Sequence, residues 1–236
     1  MLDSIRTRIF ADGADLPRMV ELAADPRIRG FTTNPTLMRK AGHTDYAMFA
    51  KSLLQEVTDH PISFEVLADD AAGIEHEARV IASWGENVYV KVPVTTTLGQ
   101  PMAPVVKRLS SDGVKVNVTA IFTPAQVEDV TAALAGGAPS FVSVFAGRIA
   151  DAGVDPLPIM VRALEILESA PAAQLIWASP REVLNVVQAN EIGCHVITLT
   201  HDLLAKLPLL GKSLEEFSLD TVRMFHSDAK AAGLAL

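Results

Sequence analysis

Val88-Tyr89-Val90-Lys91-Val92-Pro93-Val94 carries a single formal charge, at Lys91. The run is short, rich in β-branched residues and uninterrupted, the pattern of a strand buried on both faces rather than at a sheet edge. A lysine in the middle of such a strand must be paired, neutralised or used, because an unpaired buried ammonium is costly. Burial favours the neutral amine, which is a nucleophile toward carbonyl carbon. The ordinary alternative is a lysine whose stem lies along apolar surface while its ammonium reaches a carboxylate or water. The rest of the chain decides between the two.

Outward from this strand, short apolar runs alternate with longer amphipathic segments. Strands are expected at 8–13, 30–34, 62–67, 88–94, 115–122, 141–148, 174–180 and 195–200. Helical patterns fill 15–24, 45–58, 70–84, 101–110, 124–135, 156–169, 180–191 and 200–207. Thr123-Pro124 and Ser179-Pro180 each place a capping hydroxyl before a proline at the first helical position. Eight repeats of strand and helix predict an α/β chain folded as one (β/α)8 TIM barrel. The expected domain spans 1–236, with 208–236 a C-terminal helical extension. A doubly wound open sheet is the alternative, though it normally uses fewer strands.

The bulk properties fit one large α/β domain: 236 residues, 49% hydrophobic and 20% charged. No apolar run approaches the roughly 20 residues of a membrane span, and Met1-Leu2-Asp3-Ser4-Ile5-Arg6 lacks the apolar stretch of a signal peptide. The single cysteine, Cys194, suits a reducing cytoplasm. A net charge of -8 argues against nucleic acid as a partner, while leaving room for a local basic pocket.

Barrel enzymes place their chemistry at the C-terminal ends of the strands, and here those ends are polar. Strand one ends with Asp12, strand two with Thr32-Thr33-Asn34; strand three carries Glu65 and strand four Lys91. Asn117 and Thr119 lie two apart on strand five, as do Ser143 and Phe145 on strand six, which leads to Arg148. Strand seven ends Trp177-Ala178-Ser179-Pro180-Arg181, where Trp177 is bulky for a barrel lining. Singly each has an ordinary explanation: a turn residue, a common strand residue, or an ion pair between Glu65 and Lys91. Together they are explained by one barrel mouth.

A buried amine between two carboxylates, without metal-ligand spacing or a cofactor fingerprint, suits Schiff-base chemistry on a ketone. Asp12 or Glu65 would take the proton of the hydroxyl that becomes an aldehyde, and the other would move protons through water. Arg148, Arg181 and a helix opening at Ser179 would bind phosphate or sulfonate, so an anionic sugar is the expected partner. Other signatures are weak. Gly211-Lys212-Ser213 ends like a P-loop but has Lys206 where the leading glycine belongs, and the six histidines lack metal spacing. Cys194 reads as a packing residue.

The segments 30–36, 90–95, 117–120 and 147–149 together resemble the transaldolase family, in particular the small subfamily that includes fructose-6-phosphate aldolases. The resemblance runs from Asp12 to about Leu207. It implies a metal-free, cofactor-free barrel with Lys91 as the Schiff-base lysine, Asp12 acting on the hydroxyl at the cleaved bond, and Glu65 activating the water. It implies further that Asn34, Thr33, Asn117, Thr119 and Ser143 orient the dihydroxyacetone portion and the water, and that Arg148, Ser179 and Arg181 take the phosphate. Glu65 and Phe145 match transaldolases, where the aldolases have glutamine and tyrosine. The expected reaction is therefore transfer of dihydroxyacetone between sugar phosphates. A lyase of the aldolase type, or action on a sulfonated or deoxy sugar, is the alternative. A non-catalytic sugar-phosphate binder would keep the arginines but has no use for Lys91 with both carboxylates. Small members of the family form rings, so a homo-oligomer is expected, with the apolar side of 214–232 against a neighbour or its own barrel.

Overall fold

The structure, a computed structural model, describes residues 4–234; Met1–Asp3, part of the stretch read for a signal peptide, lie outside them. Eight parallel strands close into a barrel in sequence order. In the first half, β1 (Arg8–Asp12), α1 (Leu16–Ala23), β2 (Ile28–Thr32), α2 (Pro35–Lys40), α3 (Tyr46–Glu56), β3 (Ile62–Glu65), α4 (Ala71–Ala82) and β4 (Val88–Pro93) follow one another. In the second come α5 (Ala103–Ser111), β5 (Val116–Ile121), α6 (Pro124–Leu134), β6 (Ser140–Val144), α7 (Ala146–Asp151), α8 (Leu157–Leu167), β7 (Ala173–Trp177), α9 (Leu184–Glu191) and β8 (Val196–Thr200). A short α10 (His201–Leu204), a 3-10 turn at Leu207–Leu209 and the long α11 (Leu214–Ala231) complete the chain. β8 pairs with β1 and closes the ring. The expected TIM barrel is present.

Side-chain alternation divides the sheet into two faces. Val88, Val90 and Val92 of β4 pack outward into the main core beneath the helices, and each such fully buried side chain is worth about 1.5–3 kcal/mol. Phe10, Phe141, Ile176, Ala178 and Val196 point inward and fill the lumen. Phe10 meets Phe141 edge to face at 5.5 Å. Its ring fits because Gly30 faces it: a Cβ on Gly30 would stand 2.6 Å from the Phe10 ring. Above this plug the lumen turns polar, and that is the site.

Several elements differ from expectation. Strand six does not reach Arg148. It stops at Val144, and the N–H groups of Arg148 and Ile149 turn back onto the Phe145 carbonyl to start α7. The helix expected from Pro180 begins at Leu184. Ser179 adopts a left-handed φ of 55°, which an N-cap does not use, and the side chain of Asn185 instead accepts from the Arg181 and Glu182 N–H groups. Trp177 does not line the lumen. It is fully buried in the outer layer, between the sheet and the helices. The expected Thr123 cap is present as a full capping box with Gln126. β5 carries an extra residue between Val118 and Ile121, a bulge at which Ala120 has a φ of 59°.

Cys194 is buried beside the N-terminal end of β8, and burial pushes its thiol up to about 12. It stays a thiol, as a packing residue should. Among the described residues no helix is long and apolar enough to cross a membrane.

Candidate active site

Register places the central pair. Glu65 on β3 pairs with Lys91 on β4, and Lys91 in turn with Asn117 on β5, so three consecutive strands present these side chains at one level. Lys91 is only 5% exposed. Its Nζ lies 3.0 Å from Glu65 Oε2 and donates to the Thr33 carbonyl at 2.8 Å. The ion pair considered from the sequence is therefore real, and it sits within a larger polar group.

Asp12, at the end of β1, is the second carboxylate. Burial raises its pKa above the ordinary value, while the Lys91 charge and a hydrogen bond from Thr32 pull the other way. Thr32 Oγ1 lies 2.7 Å from Asp12 Oδ1 and 2.6 Å from Thr198 Oγ1. On the opposite side, Ser143 Oγ donates to Asn117 Oδ1 at 2.7 Å, and Asn117 Nδ2 donates to Ser63 Oγ at 3.0 Å. This chain leaves the amide and hydroxyl rigidly aimed, because each partner fixes the next. Thr119 Oγ1 is buried two residues above Asn117 and bonds no described residue.

Thr33 and Asn34 enter differently from the expectation of free side chains. The Thr33 hydroxyl donates to the Ser63 carbonyl at 3.0 Å, so its backbone oxygen is what meets Lys91. Asn34 caps α2, its Oδ1 accepting the Leu37 N–H at 3.0 Å, which leaves its Nδ2 as the group free to donate.

The remaining four residues, Phe145, Arg148, Ser179 and Arg181, lie toward the rim. Arg148 is exposed on α7, its guanidinium 5.3 Å from the centre of the Phe145 ring. Arg181 is also exposed and clasps Asp151 with Nε at 3.0 and 3.1 Å and with Nη2. Ser179 lies between them, its carbonyl against Gly147. The structure thus gathers Lys91, Asp12, Glu65, Asn117, Ser143 and Thr119 at the mouth, and sets the two arginines together at its edge.

Three participants escaped the sequence reading: Ser63 and Thr198 face the lumen, and the Tyr46 hydroxyl on α3 accepts the Glu65 N–H at 2.6 Å. Thr32, noted from the sequence as a polar strand end, holds Asp12. Thr198 and Thr200 stand two apart on β8, the same signal that exposed Asn117 and Thr119. Tyr46 gives no such signal, since a helix brings it in from outside the barrel. Among the described residues no group of three or more His, Cys, Asp or Glu side chains is placed to hold a metal ion.

Residues 9–236 match the family model described as Transaldolase/Fructose-6-phosphate aldolase. A probable transaldolase of Methanococcus maripaludis strain C7 is 34% identical over 217 residues, covering 90% of this chain and 96% of that protein. A probable transaldolase of Thermoanaerobacter sp. strain X514 is 35% identical over 217 residues, with the same coverage. Among solved structures, 3-hexulose-6-phosphate synthase from Salmonella typhimurium superposes with a TM-score of 0.57 at 16% identity, covering 82% of this chain and 89% of that one. KGPDC from Streptococcus mutans gives 0.58 at 11% identity, covering 83% and 88%. At such identities these two structures speak for the barrel alone.

Proposed function

Because this chain belongs to the transaldolase/fructose-6-phosphate aldolase family, we propose that it is a Schiff-base transaldolase, moving a dihydroxyacetone unit from a ketose phosphate such as fructose 6-phosphate to an aldose phosphate. The observation that carries this reading is Lys91, buried between Glu65 and Asp12 at the catalytic end of the barrel.

In this reading Lys91 Nζ attacks the ketone carbon, and the carbinolamine loses water to give a protonated imine. Glu65, 3.0 Å from Nζ, delivers and removes the protons of that dehydration through a water held with Thr119. Asp12 then takes the proton of the C4 hydroxyl as the C3–C4 bond breaks. The electron pair of that bond moves into the imine, leaving an enamine on Lys91 and releasing an aldose phosphate. Asp12 suits the step because burial strengthens its hold on a proton. Asn117, Ser143 and the amide of Asn34 hold the hydroxyls of the three-carbon unit. Arg148 and Arg181, with Ser179, take the phosphate.

Transfer is favoured over net cleavage by Phe145. Its ring packs 5.8 Å from Phe122 and beneath Arg148, and it has no hydroxyl with which to order a water for protonating the enamine. The three-carbon unit therefore waits for an acceptor aldehyde. α11 buries none of its side chains and exposes Phe217, Val222 and Phe225, which supports a homo-oligomer with that helix at a contact between copies.

Incubation with fructose 6-phosphate and borohydride, followed by mass spectrometry of the peptides, tests the mechanism. A reduced three-carbon adduct on Lys91 is the expected result. An adduct on another lysine, or on none, overturns it.

A further inference from the structure

Arg181 already holds a carboxylate from its own chain. Asp151 receives both Nε and Nη2 of the guanidinium, the same fork on a pair of oxygens with which arginine binds phosphate. Asp151 ends α7, one turn after Arg148 and on the same side of the helix, and it feels the Arg148 charge as well. The pair is half exposed, at 47% for Arg181 and 52% for Asp151, so an anion from solution has access to it. Burial does not lock the contact.

We propose that Asp151 is a specificity-determining residue, a tethered counter-ion that the anionic end of the substrate displaces from Arg181. This rests on the reading of Arg148 and Arg181 as the anion pocket. With Asp151 in place the pocket carries a net charge of +1 (two arginines less one carboxylate) instead of +2. A sugar phosphate brings a charge of about -1.5 to -2, so Asp151 holds its affinity down, most strongly against the dianion. It also gives Arg181 a partner again as a phosphorylated product departs, so release does not strand a bare guanidinium. Binding energy withheld in this way keeps the ground state from being over-stabilised.

Calorimetric titration of the whole protein with inorganic phosphate at pH 8 tests this, alongside kcat and KM for fructose 6-phosphate with an acceptor aldose phosphate. Exposed ion pairs are weak, so Asp151→Asn is expected to bind phosphate roughly threefold to fivefold more tightly. KM should fall by the same factor, the gain lying in KM rather than kcat, while Asp151→Glu stays near the wild type. If Asp151→Asn binds phosphate no better than the wild type while Arg181→Gln loses binding, the counter-ion role is overturned and the anion pocket stands. If Arg181→Gln also leaves phosphate binding unchanged, the anion pocket falls and the proposal falls with it.

Discussion

The carbonyl of Ser179 lies where a side chain on Gly147 would be, since a Cβ there would come within 1.5 Å of it. This contact docks α7 against the loop after β7. It is what brings Arg148 and Asp151, on the helix, to Arg181, on the loop. A methyl group cannot be fitted by rotating a side chain, because the obstacle is backbone. Gly147→Ala should therefore lower Tm by about 5 °C, an overpacking cost spread over a domain of this size. It should also raise KM for phosphorylated substrates more than it lowers kcat. Differential scanning calorimetry and steady-state kinetics read both, and an unchanged KM would show that the docking does not set the arginines.

Lys91 and Glu65 form a pair in which each charge answers the other. Lys91→Ala should abolish borohydride trapping and leave a folded barrel of lower Tm, because Glu65 loses its partner. Adding Glu65→Gln removes the stranded charge and should recover much of that loss without restoring activity. Thermal melts of the single and double variants decide. A double variant no more stable than Lys91→Ala would mean that the pair contributes packing rather than charge balance.

Asp12 makes the stability of the fold depend on pH. Its pKa is raised by burial above the ordinary 3.8, so the folded state holds this proton more tightly than the unfolded chain. Below 3.8 both states are protonated and there is no penalty. As pH rises from there through the raised value, ionising the buried carboxyl costs stability, and the cost persists at neutral pH. Asp12→Asn should thus be more stable than the wild type at pH 7, with the gain vanishing below about pH 4. A Tm difference that is the same at pH 3.5 and pH 7 would contradict this.

On the proposed mechanism, Phe145 and Glu65 would set the fate of the captured fragment. Phe145→Tyr combined with Glu65→Gln should release free dihydroxyacetone from fructose 6-phosphate without an acceptor, about tenfold or more faster than the wild type, the scale of a modest acid–base contribution. Coupled assay of free dihydroxyacetone measures it. No increase would remove these two positions from the control of transfer against cleavage.

The barrel and the heart of the site were legible because both rest on local periodicity. Lys91, Glu65, Asn117 and Ser143 stand at alternating positions of strongly β-branched strands, and alternation alone brings them to one face. What stayed hidden depends on contacts distant in sequence. Nothing in Val144-Phe145-Ala146-Gly147 announces that the strand gives way to a helix packed against the carbonyl of Ser179, more than thirty residues on. Trp177 changes face with a shift of one residue in where the strand is counted. Ser179-Pro180 has the letters of a helix cap, but its left-handed backbone serves the contact with Gly147 instead. The pairing of Arg181 with Asp151 likewise needs α7 to exist before it can form.

The plug of Phe10, Phe141 and Ile176 has a kinetic meaning. It fills the lumen below the lysine, so on the proposed reaction the donor, both products and the acceptor would share one entrance. The first aldose would then have to leave before the second could arrive. Double-reciprocal plots against donor at several acceptor concentrations should run parallel, the signature of a ping-pong order, and each aldose should compete with the other for the loaded enzyme. An apolar plug with no group in the chemistry would then dictate the sequence in which the substrates are taken.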